Sequence, residues 1–203
     1  AVGTSILGYT NSNVNNSVSA MIQKGNMTSL NCPEEVYLSE QILKQHPWAS
    51  MSKFTRGGGE ANACAIKISR SNTKKKNIAF CGYHGWHDWY LSANLNSKKN
   101  LDQHLMPGLN YDGIPESLKD TSFPFPYNDF SYLAKLISKK NIGIVKMEVM
   151  RNTKPQKHFL QKVRNICNKK KIILIFDECT TGYRQNMGGI HLNFKVNPDI
   201  AIF

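Results

Sequence analysis

Two acidic residues, Asp177 and Glu178, come directly after the apolar run 172–176, where a buried strand is expected to end. A carboxylate in this position can be a metal ligand, a general base or the partner of a cationic ring. Opposite charges about 4 Å apart gain ~4 kcal/mol at an effective dielectric constant of about 20, whereas a surface ion pair contributes only ~0–1 kcal/mol. A protonated ring nitrogen would therefore suit Asp177 as a partner.

Three consecutive glycines, residues 57–59, precede a stretch with a helical pattern of apolar residues. Glycines let backbone N–H groups approach a ligand closely, and a helix N-terminus adds free donors and partial positive charge. Both properties suit a phosphate group. The pattern matches neither G-x-x-x-x-G-K-[ST] nor G-x-G-x-x-G, so a simple tight turn is the alternative interpretation.

An aromatic cluster, "GYHGWHDWY", occupies residues 82–90 after the next apolar run. Tyr83 could stack on a planar heteroaromatic ring, and His84 could donate a hydrogen bond to it. Two alternatives stay open. One is a packed aromatic loop. The other is a metal site on His84 and His87, which are three residues apart with Asp88 beside them, although the sequence offers no third ligand at a standard spacing.

A lone acid, Glu148, follows the apolar run "NIGIVKM". It can be a polar contact to a cofactor or a structural group with satisfied hydrogen bonds, and the sequence does not separate these. Lys146 lies inside this run, and Lys195 precedes the strand-like run "NPDIAIF". We interpret both as structural, because a lysine that forms a Schiff base must be fixed at the carbonyl of its cofactor.

These residues follow strand-like runs that alternate with amphipathic helices. Strands are expected at 52–55, 77–83, 141–150, 171–178 and 197–203, and helices near 13–24, 34–45, 61–70, 129–140 and 154–170, with 92–127 as a loop-like stretch. Such alternation predicts an α/β fold of three layers, with a mostly parallel sheet covered on both faces. Ligands of these folds bind beyond the carboxyl ends of the strands, where the candidate residues lie.

The amino-acid composition limits the classes of protein to which the chain can belong. The 203 residues carry a net charge of +12, which could mark a nucleic-acid-binding domain, but the lysines form short runs that are not interleaved with aromatic residues. No apolar run has the length needed to cross a bilayer. The five cysteines form no C-x-x-C motif, which is typical of reduced thiols in a cytoplasmic protein.

Four motifs together resemble the class III (ornithine-type) aminotransferases of fold type I, and within them the glutamate-1-semialdehyde aminomutase branch. They are "FTRGGGEANACAIKISR" (54–70), "GYHGWHDW" (82–89), "FPYND" (125–129) and "FDECTTGYR" (176–184). The resemblance spans essentially the whole chain, because "GTSILGY" and "NPDIAIF" also fall in the family's order. It implies an enzyme that uses pyridoxal 5′-phosphate for transamination or intramolecular amino transfer on an amino acid or semialdehyde.

The resemblance also implies residue roles. Gly58 and Gly59 would hold the phosphate, Tyr83 would stack on the pyridine ring beside His84, and Asp177 would pair with the ring nitrogen. In addition, Cys179 would pack under the ring, and Glu148 would stand where the family has an active-site glutamate. The sequence departs from the family pattern at Gly57 and Gly59, which replace hydroxyl residues, at Cys179, which replaces Val, and at Val149, which replaces Pro.

The resemblance finally implies parts that this chain does not contain. The family's Schiff-base lysine is expected just after Phe203, so the catalytic residue is not assigned here. We expect residues 1–203 to form a partial large domain, with a helical lead-in at 1–45 and an α/β core at 46–203. A small C-terminal domain would be absent, and the full-length protein would be a homodimer acting on a small amine or amino acid.

Overall fold

The computed structural model describes residues 3–25, 27, 29–104, 108 and 110–203. It divides into two compact units, Ala1–Lys53 and Phe54–Phe203. The first unit contains two helices, α1 (Ser12–Lys24) and α2 (Pro33–Gln45). Both predicted helices are therefore confirmed to within one residue.

Local capping explains where the two helices begin. The Asn11 side chain accepts a hydrogen bond from the Val14 backbone N–H at 3.2 Å, which satisfies a donor that the first turn leaves open. Pro33 opens α2, and the Glu35 carboxylate accepts a hydrogen bond from the Cys32 N–H at 3.3 Å. Both starts are thus determined by residues within one turn of the helix.

The second unit alternates helices and strands. Its elements are α3 (Gly58–Thr73), β1 (Asn77–Cys81), α4 (Asp88–Leu91), β2 (Ser122–Pro124), α5 (Phe130–Lys139), β3 (Ile142–Glu148), α6 (Phe159–Lys170), β4 (Ile173–Asp177), α7 (His191–Phe194) and β5 (Ile200–Ile202). Three short 3-10 helices, Ser92–Leu95, Asp102–His104 and Glu116–Leu118, lie between α4 and β2.

The five strands form one sheet in the order β2-β1-β3-β4-β5, and every pairing is parallel. The register between β3 and β4 sets Glu148 directly opposite Asp177. Since side chains alternate along a strand, these two carboxylates lie on the same face of the sheet. Glu148 and Asp177, two of the acids identified in the sequence, therefore lie side by side at the carboxyl end of the sheet.

Apolar side chains cover both faces of the sheet. On one face Ile78, Ile144 and Ile175 pack with residues of α3 and α4. On the other face Val145 and Leu174 pack with residues of α5 and α6. Because side chains alternate along each strand, successive residues are buried on opposite faces, each covered by its own layer of helices. The predicted three-layer α/β fold is confirmed.

Two expectations for individual segments were wrong. Residues 52–55 form no strand, and the Ser52 hydroxyl instead lies 2.6 Å from that of Ser39 on α2. The stretch 92–127, expected to be a loop, contains the three 3-10 helices and β2, although 105–107 and 109 lie outside the described residues. Strand β2 has only three residues and ends in a proline, so its apolar pattern is too short to predict a strand.

In the part of the chain that the structure describes, no helix is both long enough and apolar enough to span a bilayer. All five cysteines are free thiols, and Cys81 and Cys167 are buried.

Candidate cofactor site

Three loops meet at the carboxyl end of the sheet. A Cβ atom added to Gly58 would lie 3.1 Å from the Cys179 Sγ, so the start of α3 approaches the loop after β4. A Cβ atom added to Gly85 would lie 3.1 Å from the Gly59 Cα, so the same helix start also approaches the loop after β1. The three motifs that the sequence analysis assigned to one ligand are therefore neighbours in space.

Helix α3 begins at Gly58 without a side-chain cap, because its N-cap residue is Gly57. The first backbone N–H groups of a helix have no intrahelical acceptor, and here no N-cap side chain accepts from them. Gly57 is fully extended, at φ −170°, and a Cβ there would meet nothing within 4 Å. This helix start offers backbone donors, partial positive charge and open space to an anion.

Asp177 ends β4 and is almost completely buried, with 4% of its surface exposed. Its Oδ2 atom lies 2.9 Å from the His84 Nδ1 and 3.3 Å from the Lys146 Nζ. Its Oδ1 atom accepts a hydrogen bond from the Cys179 backbone N–H at 3.2 Å. The carboxylate is thus held in place by residues of β3, of the loop after β1 and of the loop after β4.

The charges of this group follow from their mutual contacts. Burial alone would raise the pKa of Asp177, but the Lys146 ammonium and the His84 hydrogen bond outweigh it and hold that pKa well below its usual range. Burial, followed by the charge of Lys146, lowers the pKa of His84 to about 4. Burial also lowers the pKa of Lys146, against the attraction of Asp177. Asp177 is therefore anionic.

Glu148 lies beside Asp177 but has different partners. Its Oε1 atom forms an ion pair with the Arg151 guanidinium at 2.7 Å, and its Oε2 atom accepts a hydrogen bond from the Tyr83 backbone N–H at 3.4 Å. Burial raises the pKa of Glu148, and the charge of Arg151 opposes that shift. The glutamate links the loop after β1 to the end of β3.

Glu178, the acid that follows Asp177, has a structural role. It is fully buried on the opposite side of the chain from Asp177 and binds the segment that leads into α7. Its carboxylate accepts hydrogen bonds from the Ile190 N–H at 2.6 Å, the His191 N–H at 3.0 Å and the Thr181 hydroxyl at 2.9 Å. Of the two neighbouring acids, Asp177 is therefore a candidate site residue, and Glu178 holds the segment before α7 in place.

The aromatic cluster also divides. Trp89 is buried and stacks on the His84 ring, with centroids 6.1 Å apart. Tyr83 is half-buried and meets Tyr90 edge-on, with centroids 6.0 Å apart. Trp86 is 70% exposed. Part of the cluster is thus core packing, as one of the sequence alternatives had it, while Tyr83 lies at the margin of the site.

The metal alternative finds no support in the geometry of His84. Its Nδ1 faces Asp177, and its Nε2 lies 3.1 Å from the Cys81 carbonyl oxygen. Among the described residues, no group of three or more His, Cys, Asp or Glu side chains is arranged to hold a metal ion.

A cleft of about 280 Å³ opens beside these groups. Its walls include Gly82, His104, Tyr127, Glu148 and Arg151. The cleft lies at the carboxyl ends of β1 and β3, where parallel α/β folds bind small molecules.

Sequence reasoning missed two residues of this neighbourhood, Lys146 and Arg151. Lys146 was interpreted only as structural, and Arg151, in the strand-end range 148–151, was given no role. A signal for Lys146 was present, because it shares strand parity with Glu148 and must point to the same face of the sheet. Its proximity to Asp177 depends on the β3–β4 register, which the sequence does not state.

Comparison with known proteins agrees with this geometry. The family model described as "Aminotransferase class-III" matches residues 1–203. A glutamate-1-semialdehyde 2,1-aminomutase from Methanobrevibacter smithii is 34% identical over 209 residues, covering 99% of this chain and 48% of that protein. One from Sulfolobus acidocaldarius is 33% identical over 205 residues, covering 98% of this chain and 48% of that protein. The chain spans about half the length of the curated relatives it matches.

Solved structures share the fold. An omega-transaminase from Sphaerobacter thermophilus superimposes with a TM-score of 0.81 at 26% identity, covering 96% of this chain and 46% of that one. A glutamate-1-semialdehyde aminomutase from Pseudomonas aeruginosa gives a TM-score of 0.74 at 16% identity, covering 95% of this chain and 42% of that one. At this identity the second match supports the fold alone.

The close approach of Gly82 to Glu148 can be tested by Gly82→Ala. A Cβ there would lie 2.5 Å from the Glu148 Oε2, and the residue has φ +107°. Gly113→Ala is the matched control, because Gly113 also has a positive φ, +84°, but nothing within 4 Å. We expect the control to lose about 1–2 kcal/mol of unfolding free energy and Gly82→Ala to lose at least about 1 kcal/mol more. Equal losses in urea titrations would contradict the steric argument.

The anchoring role of Glu178 predicts a pH-dependent loss of stability in Glu178→Gln. The hydrogen bonds from His191 and Ile190 outweigh burial and lower the pKa of Glu178 from 4.5. A lowered pKa in the folded state stabilises the protein above the unfolded pKa, and that contribution is lost as the pH falls. Near neutral pH we expect Glu178→Gln to cost about 1–3 kcal/mol.

The difference between the unaltered protein and Glu178→Gln should shrink as the pH falls below 4.5. Urea titrations at several pH values measure it. Glu116→Gln, at an exposed position, is the control and should stay within about 0.5 kcal/mol of the unaltered protein. A difference that stays constant down to acidic pH would show that Glu178 does not act through its charge.

Proposed function

The chain belongs to the class-III aminotransferase family, as its motifs predict, and from this premise we propose that the full-length protein transfers amino groups with pyridoxal 5′-phosphate. The cofactor would lie at the carboxyl ends of β1, β3 and β4. The observation that carries the proposal is the buried, ionised Asp177 next to an uncapped glycine start of a helix. These groups suit the two charged ends of this cofactor.

The ring nitrogen would be held by Asp177. Its Oδ1 atom accepts a hydrogen bond from the Cys179 N–H, and a carboxylate oxygen has a second lone pair that can accept from a further donor. His84 fixes the orientation of the carboxylate through Oδ2. An anionic carboxylate in a dry site favours the protonated form of a pyridine nitrogen.

The phosphate would be held by the start of α3. Gly57 and Gly59 provide no hydroxyl groups, so the contacts would come from backbone N–H groups of the first turn together with the partial positive charge of the helix. Gly58 lies against the Cys179 side chain, which brings the proposed phosphate and ring sites together. Tyr83 would stack on one face of the ring, and Cys179 would pack near the other.

When bound, pyridoxal phosphate supplies an electron sink that stabilises negative charge on the carbon bearing the transferred amine. The residues of this chain would prepare that sink. Asp177 would retain a proton on the ring nitrogen, His84 would orient Asp177, and Trp89 would exclude water from His84 by stacking on it. Glu148 and Arg151 would bound the substrate side, next to the cleft.

For the substrate we propose an amino acid or a semialdehyde. The relatives named glutamate-1-semialdehyde 2,1-aminomutase support intramolecular amino transfer, and the structural likeness to an omega-transaminase supports transfer between two molecules. We propose the first, because the aminomutases are the relatives that match at 33–34% identity. Neither the family nor the site geometry favours the nucleic-acid-binding alternative.

We also propose a domain organisation, a place for the reactive lysine and a cellular location. Residues 46–203 would belong to the cofactor-binding large domain, preceded by the lead-in 1–45, and the reactive lysine would follow Phe203 in the full-length protein. The five free cysteines support a cytoplasmic location. Reading the coding sequence beyond Phe203 checks the position of the lysine directly.

The proposal predicts that Asp177→Asn weakens cofactor binding. Asparagine keeps the shape of the side chain but removes the charge that would pair with the ring nitrogen, so we expect an affinity at least about tenfold lower. Absorbance titration of the full-length protein with pyridoxal phosphate measures this. Asp112→Asn, at an exposed position, is the control. An unchanged affinity in a folded Asp177→Asn variant would refute the role.

We also propose that the full-length protein is a homodimer, with α1 at or near the contact. Three apolar residues spaced four apart, Val14, Val18 and Ile22, form one stripe of α1 and are all about half exposed. A contiguous exposed apolar stripe is typical of an interaction surface. Val18→Asp should therefore shift the full-length protein from dimer to monomer in sedimentation equilibrium, whereas Ser19→Asp on the same helix should not. A monomeric unaltered protein would contradict the proposal.

A further inference from the structure

Lys146 lies in the interior of β3 and is completely buried, with none of its surface exposed. A charged lysine is rarely buried to this degree without a partner. The amino transfer proposed above requires no cation at this position. Its neighbours Ile144 and Ile175, on the same sheet face, belong to the apolar core. The position therefore places a charge where the sheet otherwise buries aliphatic side chains.

The partner of Lys146 is Asp177, the carboxylate proposed to hold the ring nitrogen. The Lys146 Nζ lies 3.3 Å from the Asp177 Oδ2, the same oxygen that His84 contacts at 2.9 Å. The charge of Glu148 also acts on Lys146 and favours its protonated form. Asp177 is therefore already neutralised by a cation of its own chain.

A carboxylate with one cationic partner attracts a second cation less strongly. Two positive charges that share one carboxylate in a dry site also repel each other, because the low effective dielectric constant does not screen them. A protonated ring nitrogen bound to Asp177 would be such a second cation. Either the ring nitrogen or Lys146 must then hold its proton more weakly than it would with Asp177 alone.

We infer that Lys146 is a positioning residue that shares the negative charge of Asp177 with the ring nitrogen of the bound cofactor and so lowers the proton affinity of that nitrogen. The inference rests on the proposed function. It means that the strength of the electron sink is set by the Asp177–Lys146 pair and not by Asp177 alone. A ring nitrogen that holds its proton less firmly withdraws electrons less strongly.

The inference is tested by titrating the ring nitrogen itself. Full-length protein is loaded with pyridoxal phosphate labelled with nitrogen-15 in the ring, and the chemical shift of that nitrogen is followed against pH. Lys146→Met removes the charge and keeps a long unbranched side chain. In this variant we expect the ring nitrogen to hold its proton to a pH higher by roughly one unit or more, about a tenfold gain in proton affinity.

The control is Lys67→Met, which removes a charge from an exposed position of α3, away from Asp177. Its titration should match that of the unaltered protein. A merely structural role of Lys146 would change the melting temperature but not the titration of the ring nitrogen. Identical midpoints in Lys146→Met and the unaltered protein would overturn the inference.

Two further outcomes are informative. If Lys146→Met does not fold, the titration of the ring nitrogen in the unaltered protein tests the inference. A ring nitrogen that loses its proton within the pH range of the folded protein supports the inference, and one that stays protonated throughout overturns it. Failure of the unaltered full-length protein to bind pyridoxal phosphate would instead contradict the proposed function, which separates the two failures.

Discussion

The ionised carboxylate of Asp177, held out of water at the end of β4, is the constraint on which the site depends. An unpaired charge at this depth would be too costly to retain, so the surrounding chain must neutralise it and satisfy its oxygens. Lys146 supplies the charge, His84 supplies a ring N–H, and Cys179 supplies a backbone N–H. These partners come from β3, the loop after β1 and the loop after β4. The carboxylate therefore ties together the three segments that form the floor of the site.

The geometry of a strand explains why the adjacent acids Asp177 and Glu178 have different roles. Along a strand, neighbouring side chains point to opposite faces. Asp177 follows the face covered by α3, where the site lies, and Glu178 follows the other face. There Glu178 accepts hydrogen bonds from the segment 190–191 and fixes the start of α7. One carboxylate thus faces the candidate site, while the other stabilises the loop after β4.

Close backbone approach is the second requirement of the site. Gly82 leaves space for the Glu148 carboxylate, Gly85 approaches Gly59, and Gly58 lies against Cys179. Any side chain at Gly82 would displace Glu148, which in turn holds Arg151. The glycines of the motifs therefore serve two purposes. Some let separate loops meet, and others leave the first turn of α3 open to an anion.

The sequence by itself determined the three-layer fold, the helices with local caps and the position of the candidate residues at strand ends. Hydrophobic periodicity and capping act within a few residues, so they can be read from the chain directly. The family resemblance of the motifs added the expected cofactor. The apolar pattern of the sequence did not predict the short strand β2, whose pairing with β1 depends on a partner strand more than 40 residues away in the chain.

Only the tertiary structure decided which charged and polar groups contact each other. The contact between Lys146 and Asp177 joins residues 31 apart in sequence, and that between His84 and Asp177 joins residues 93 apart. Strand parity predicts the sheet face that Lys146 occupies, but the register between β3 and β4 decides what it meets there. Electrostatic interactions depend on distance in space and on burial, and both are properties of the folded chain. For this reason the lysine in an apolar run could be placed on a strand from sequence, whereas its pairing with Asp177 became visible only in the fold.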